Sequence, residues 1–312
     1  YCAVETPSFT TAATFSQCEI CLDQWVSLNP SSTWAIDKEP RKRCQSNPTR
    51  IIPTYSHLEI IGKIDSNGRR TILSGQRKTR LFDLRAGTSL VLKNLQLSFG
   101  CVSGTTLQNL CLGNGGVINI KGGTFNGLQL IFSDNKASDI YSGGALFASG
   151  DAFINITEST FINNIGEGNG AAISIQDGTT MSVVDTAFIS NTVGDQTNDQ
   201  GGAVFISGAT TTALLKRVTF DGNRATQGSD IYATDDVAAS AIRLIDARIN
   251  MTDRHLRDEI VRSGFVSEMG NAFADCESTA DLCGDDTRCQ NRPAEFIGVG
   301  PTRDIVSSKR PT

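Results

Sequence analysis

The sequence predicts an all-β chain wound into a parallel β-helix, and three observations carry that prediction. The first is a glycine-led phrase that keeps returning: Gly115-Gly116-Val117-Ile118, Gly143-Gly144-Ala145-Leu146, Gly170-Ala171-Ala172-Ile173 and Gly201-Gly202-Ala203-Val204, with a worn fifth copy at Ser229-Asp230-Ile231-Tyr232. The second is a Phe-x-x-Asn pair between those phrases, at Phe132/Asn135, Phe161/Asn164, Phe188/Asn191 and Phe220/Asn223. The glycine phrases recur after 28, 27, 31 and 28 residues and the Phe-x-x-Asn pairs after 29, 27 and 32. Such a period belongs to solenoids, whose units bury their apolar faces only against one another. The third observation is the period inside a unit, which is two rather than 3.6. Two residues before each Phe stand Leu130, Ser159, Thr186 and Val218; three before stand the polar Gln129, Glu158, Asp185 and Arg217. That alternation, rich in β-branched and aromatic residues, describes strands with one buried face.

The repeated residues have physical reasons to repeat. Paired glycines supply positive φ and close backbone approach where the chain turns into a strand. Each Phe is expected to point inward and stack on its copies. Each Asn suits a turn, because asparagine tolerates the left-handed conformation, and its amide can join a ladder with the copy one coil away, at the ~4.8 Å strand spacing.

Taken in order, residues 1–49 read as a disulfide-rich cap. They hold Cys2, Cys18, Cys21 and Cys44. Cys18-x-x-Cys21 has zinc-ligand spacing, but a second such pair and a nearby histidine are missing, so two disulfides over the open end are preferred to a thiolate metal site. Trp25 and Trp34 read as apolar cover for the first coil, with a carbohydrate platform as the alternative. The solenoid is placed at about 50–250, roughly seven to nine coils and 35–45 Å long at the usual strand spacing. It starts before the clear repeats: residues 57–75 alternate around a turn at Ser66-Asn67-Gly68, and Leu90, Leu92, Leu95 and Leu97 follow. Aligned on Leu92 and Leu215, Leu97 takes the Phe position and Gly100 the Asn position. Cys101 and Cys111 bracket an excursion that a disulfide would close. Residues 252–264 read as a short C-terminal cap helix, with Thr252 or Asp253 as cap, Leu256, Ile260 and Val261 on one face, and Gly264 as stop. A loop-rich tail with Cys276, Cys283 and Cys289 ends the chain.

The Gly-Gly-Ala-apolar and Phe-x-x-Asn pairs resemble the repeats of the polymorphic outer-membrane protein family, within the wider right-handed, pectate-lyase-like β-helix superfamily. The resemblance covers about 50–235. It implies a right-handed helix and an adhesive or surface-exposed role.

The chain has 312 residues with 28 Lys+Arg against 33 Asp+Glu, a net charge of −5. No basic stripe points to nucleic acid or an anionic membrane as partner, and no apolar run reaches the ~18 residues of a spanning helix. Nine cysteines and two sequons, Asn155-Ile156-Thr157 and Asn250-Met251-Thr252, suggest an oxidising, extracellular setting. Asn155 precedes an inward Ile156, so it belongs on the outside. A rod keeps its ends apart, so cysteines grouped as four, two and three leave an odd thiol in the tail, expected to pair with another molecule or with a segment beyond Thr312.

Chemistry is less visible. Asp235-Asp236, Asp285-Asp286 and Asp195 with Asp199 are acidic pairs of the kind hydrolases use, but each reads as solvated turn residues. His57 and His255, the only histidines, fall at opposite ends of the rod. One threonine cluster, Thr210-Thr211-Thr212, does not supply the regular ranks that ice binding needs. The expectation is therefore a non-enzymatic, extracellular structural or adhesive β-helix protein, a subunit of a cell-surface, wall or filamentous assembly, with no cofactor, metal or catalytic residue assigned. Its expected partners are its own copies or other extracellular structural proteins, with glycans as a further class. A polysaccharide lyase or hydrolase is the alternative.

Overall fold

Alternating residues make short strands, and corners that recur every coil lay each strand beside its counterpart in the next. In the computed structural model, two sheets of nine strands and one of eight result, together with a minor sheet of three, and the pairings between coils are parallel throughout. The structure describes residues 57–64, 66–101, 113–138, 142–194, 200–234, 236–238 and 241–250, with side chains except at 249 and 250. Six outlying strands are described in backbone only: Ala12–Phe15, Glu19–Cys21, Val26–Leu28, Ile260–Val261, Phe265–Ser267 and Ala272–Ala274.

One coil visits each main sheet in turn. Phe153–Thr157 lies in the first, Thr160–Ile162 in the second and Ile173–Ile175 in the third. The next coil repeats the circuit with Thr180–Val184, Ala187–Ile189 and Val204–Ile206, paired in parallel with their predecessors. Ile165–Gly166 adds a short fourth side, paired with Lys136–Ala137 and Thr192–Val193. The chain is thus an all-β parallel β-helix. Its sheets also take in the outlying strands on either side of the 50–250 span.

The expected burial alternation is clean in the first sheet. Along Phe153–Thr157, Ile154 and Ile156 are buried while Phe153, Asn155 and Thr157 face out. Leu90, Leu92, Leu95 and Leu97 are fully buried. Leu97 pairs with Phe132, and the Gly100 amide donates to the Asn135 side chain, so both early alignments stand. Where Gly127 leaves the core position empty, the Leu130 side chain and the Phe125 ring of the same strand occupy the space.

Three readings change. Gln129, Glu158, Asp185 and Arg217 are not the outer residues of a continuous strand. Each is a single corner residue between the first and second sheets, with φ between 49° and 53°. Likewise the asparagines of Phe-x-x-Asn do not take the left-handed conformation. The residue before each does: Asp134, Asn163, Ser190 and Gly222. The bend is made one place early, leaving the asparagine free to point inward. Finally, Val204 pairs with Ile231, so Gly201 corresponds to Gly228 and the fifth phrase starts one residue earlier than the sequence suggested. Gly228 has φ 61°, as Gly201 has φ 70°.

The N-terminal cap, the cap helix and the cysteine tail lie outside the described residues, except for the strands named above. Within 252–264 the structure describes Ile260–Val261, a strand that pairs with Ile231–Tyr232. Adjacent β-branched residues favour that extended form. There is no helix among the described residues.

Candidate functional site

The repeated side chains are brought together in two columns inside the rod. Phe132, Phe161, Phe188 and Phe220 are fully buried and stack with ring centroids 4.3, 5.0 and 5.1 Å apart and planes within 11° of parallel. Their spacing is the strand spacing, because registered pairing places Phe over Phe.

Beside them runs the asparagine ladder. The Asn135 amide donates to Asn164 Oδ1, Asn164 to Asn191 and Asn191 to Asn223, each at 2.9 Å. The second proton of each amide goes to a carbonyl on the preceding side, from Asn164 to Phe132 at 3.0 Å and from Asn191 to Phe161 at 3.1 Å. Each Oδ1 also accepts a backbone N–H, as from Asn135 N to Asn164 at 3.2 Å. Four bonds at Asn164, Asn191 and Asn223 satisfy the full capacity of a buried amide, and Asn135, at the start of the ladder, makes three. The ladder closes on the buried Asp230, which accepts from Asn223 at 2.8 Å.

A second cluster gave no signal in the sequence, because it occurs once. On the outward side of the third sheet, the buried Arg80 donates to Gly115 O at 2.9 Å, to Asn114 O at 2.5 Å and to Asp83 at 3.2 Å. Asp83 also accepts from Arg85 at 3.2 Å and from Asn119 Nδ2. Burial pushes the Arg80 guanidinium down to about 10, partly offset by the Asp83 charge. Its role is to tie the first glycine corner to the strand Phe82–Arg85. The same outward row continues through Phe147, Ser174, Phe205 and Tyr232, the last two stacked at 5.8 Å. Asn119 Oδ1 and Ser174 Oγ in this row are buried without a hydrogen-bond partner.

Elsewhere the titratable groups are dispersed. Asp185 and Arg217 form an exposed bidentate pair at 2.5 and 2.6 Å across one coil step. The guanidinium holds the carboxyl below its ordinary value, and the carboxylate raises the guanidinium. Asp236 is lowered chiefly by its hydrogen bond from the Thr234 hydroxyl. Its neighbour Asp235 lies outside the described residues, as do Asp195, Asp199, Asp285, Asp286 and His255. His57 is exposed at the start of its strand. No group of three or more potential metal ligands occurs among the described residues.

Asn155 sits where expected, outward and half-buried in mid-strand. Asn250 ends the strand Arg248–Asn250, and its side chain lies outside the described residues. Cys101 is fully buried and disulfide-bonded. The side chains of Cys2, Cys18, Cys21, Cys44, Cys111, Cys276, Cys283 and Cys289 all lie outside the described residues. No protein family, curated protein or solved structure matches the chain.

Proposed function

We propose that this chain is a non-enzymatic structural or adhesive rod of an extracellular assembly. The observation that carries the reading is the use of its recurrent polar residue. Asn135, Asn164, Asn191 and Asn223 are bonded one to the next from coil to coil, so what the sequence preserves from repeat to repeat is axial cohesion. The reading adds a cell-surface, wall or filament setting. It is supported by nine cysteines, two sequons and the resemblance of the glycine and Phe-x-x-Asn phrases to surface-exposed repeats. Self-association or contact with other structural proteins is the proposed mode of action, with glycans as a further partner class. Electron microscopy of native material labelled with an antibody to the chain tests it. Label along a surface layer or filament is expected; label confined to a diffusing secreted pool overturns it.

A second reading has one observation in its favour. Arg80, Asp83 and Asn119, beside outward aromatic residues on one β-helix face, are residue types that polysaccharide-active enzymes use. Release of unsaturated products or reducing ends from acidic polysaccharides, abolished by Asp83→Asn, would favour it. The engagement of Arg80 with two backbone carbonyls favours the structural role.

A further inference from the structure

Residue types on the outward face of the first sheet largely mirror one another about its central strand, Phe153–Thr157. Its central column, taken across seven paired strands, is Glu59, Val91, Asn126, Asn155, Ser182, Leu214 and Arg243. About Asn155, the neighbours one strand away are an amide and a hydroxyl, those two away are both aliphatic, and those three away are opposite charges. The column on one side is His57, Ser89, Thr124, Phe153, Thr180 and Thr212, symmetric about Phe153 over the five strands from Ser89 to Thr212. The column on the other side is Ile61, Lys93, Leu128, Thr157, Val184, Lys216 and Ile245, with aliphatic matching aliphatic and lysine matching lysine. At the centre stands Phe153, 47% exposed, the most exposed large apolar side chain among the described residues.

From this arrangement we infer that the first sheet is the face of an antiparallel, two-fold dimer with a second copy of this chain. The inference names a partner for the rod reading, on which it rests. A two-fold axis lying in the interface along the strand Phe153–Thr157 reverses the rod axis but keeps position along each strand. Every residue n strands before the centre then meets the residue n strands after it. Glu59 faces Arg243 of the second copy, twice per dimer. Val91 faces Leu214, Asn126 faces Ser182, Thr124 faces Thr180, and Phe153 meets itself. Such an isologous contact must be self-complementary, and these columns meet that condition at every match but one. The one like-charge match, Lys93 with Lys216, lies beside Glu59, which holds Lys93 at 2.8 Å. Seven strands of five residues present a patch of about 34 by 17 Å, on the order of 1,100 Å² over both copies, which reaches the ~1,000 Å² that a specific interface needs.

Sedimentation equilibrium of the full chain, with Asn155 unmodified, tests the inference. The protein is expected to be dimeric. Glu59→Arg or Arg243→Glu alone should weaken the dimer about a hundredfold, since each creates two like-charge contacts of about tenfold each. The double variant Glu59→Arg/Arg243→Glu should bind more tightly than either single variant, though short of wild type because Lys93 loses Glu59. Phe153→Asp, at an exposed site that folding does not need, should dissociate it, with an unchanged thermal midpoint and far-UV spectrum as controls. A monomer at the highest soluble concentration, a dimer indifferent to the swaps, or a double variant that stays monomeric each overturns the inference. Any of these leaves the rod reading standing, because that reading is decided by where the native material is found.

Discussion

Asn164 makes the ladder's logic measurable. Its side chain takes two protons and gives two, at 2.9 to 3.2 Å, in a fully buried site. Asn164→Ala strands donors on Asn135 and an acceptor on Phe132, and should cost about 3 kcal/mol in urea unfolding, with Phe161→Ala costing about as much through its cavity. Asn164→Asp carries a sharper signature. Burial disfavours the charged form, so the folded-state pKa of the new carboxyl rises above the ~3.9 of an unfolded aspartate. The variant should therefore approach wild-type stability at acid pH and lose ground as pH rises through the raised value. A deficit independent of pH would contradict this. Glycines differ by position in the same way. Gly170, with φ 69°, would drive a Cβ into the Ile173 carbonyl, whereas Gly68, with φ 77°, faces open space. Gly170→Ala should cost clearly more than the ~1 kcal/mol expected of Gly68→Ala. Residues of this kind were legible because they repeat. Arg80 was invisible because it appears once, with a role fixed only by the fold around it.

Strands of the first sheet were readable from alternation alone, since one face is buried and the other not. Corners were harder. A left-handed corner residue such as Glu158 looks like one more polar step of an alternating strand, and only the pairing shows that the chain turns there. The fifth glycine phrase was misaligned because Ala203 is replaced by the polar Asp230, which the ladder needs as its terminus. At this scale Arg80 and Asp83 invite a double-mutant cycle. Arg80→Met removes the partner of two carbonyls and a buried carboxylate and should destabilise by about 3 kcal/mol. Arg80→Met/Asp83→Val should recover part of that, because the orphaned charge is gone. The Asp185–Arg217 pair is a contrast. It lies at the surface, and the lowered Asp185 contributes only above the unfolded carboxylate range, losing its contribution as pH falls through the folded value.

Across the whole molecule, coils bond chiefly to their immediate neighbours, with Arg70 reaching across one coil to the Gln129 carbonyl, so stability should fall from the middle toward the ends. Hydrogen exchange should be slowest at buried amides in 124–206, such as those bonded along Phe132, Phe161 and Phe188, and faster in 242–250. Uniform exchange would point instead to a single cooperative unit. The rod architecture was legible from the 27-to-32-residue rhythm. The symmetry of the outer face was not, because matching residues such as Glu59 and Arg243 lie far apart in sequence and meet only through six successive registers.

The ladder also has a direction. Each rung hands its proton toward the C-terminal side, starting from the Gly100 amide and stopping at the Asp230 carboxylate. Start and stop are chemically unlike, while the rungs between are interchangeable. Ladder units can thus be gained or lost inside the array, whereas a coil beyond Asp230 joins the rod through its sheets alone, as Ile242–Ile245 and Arg248–Asn250 already do.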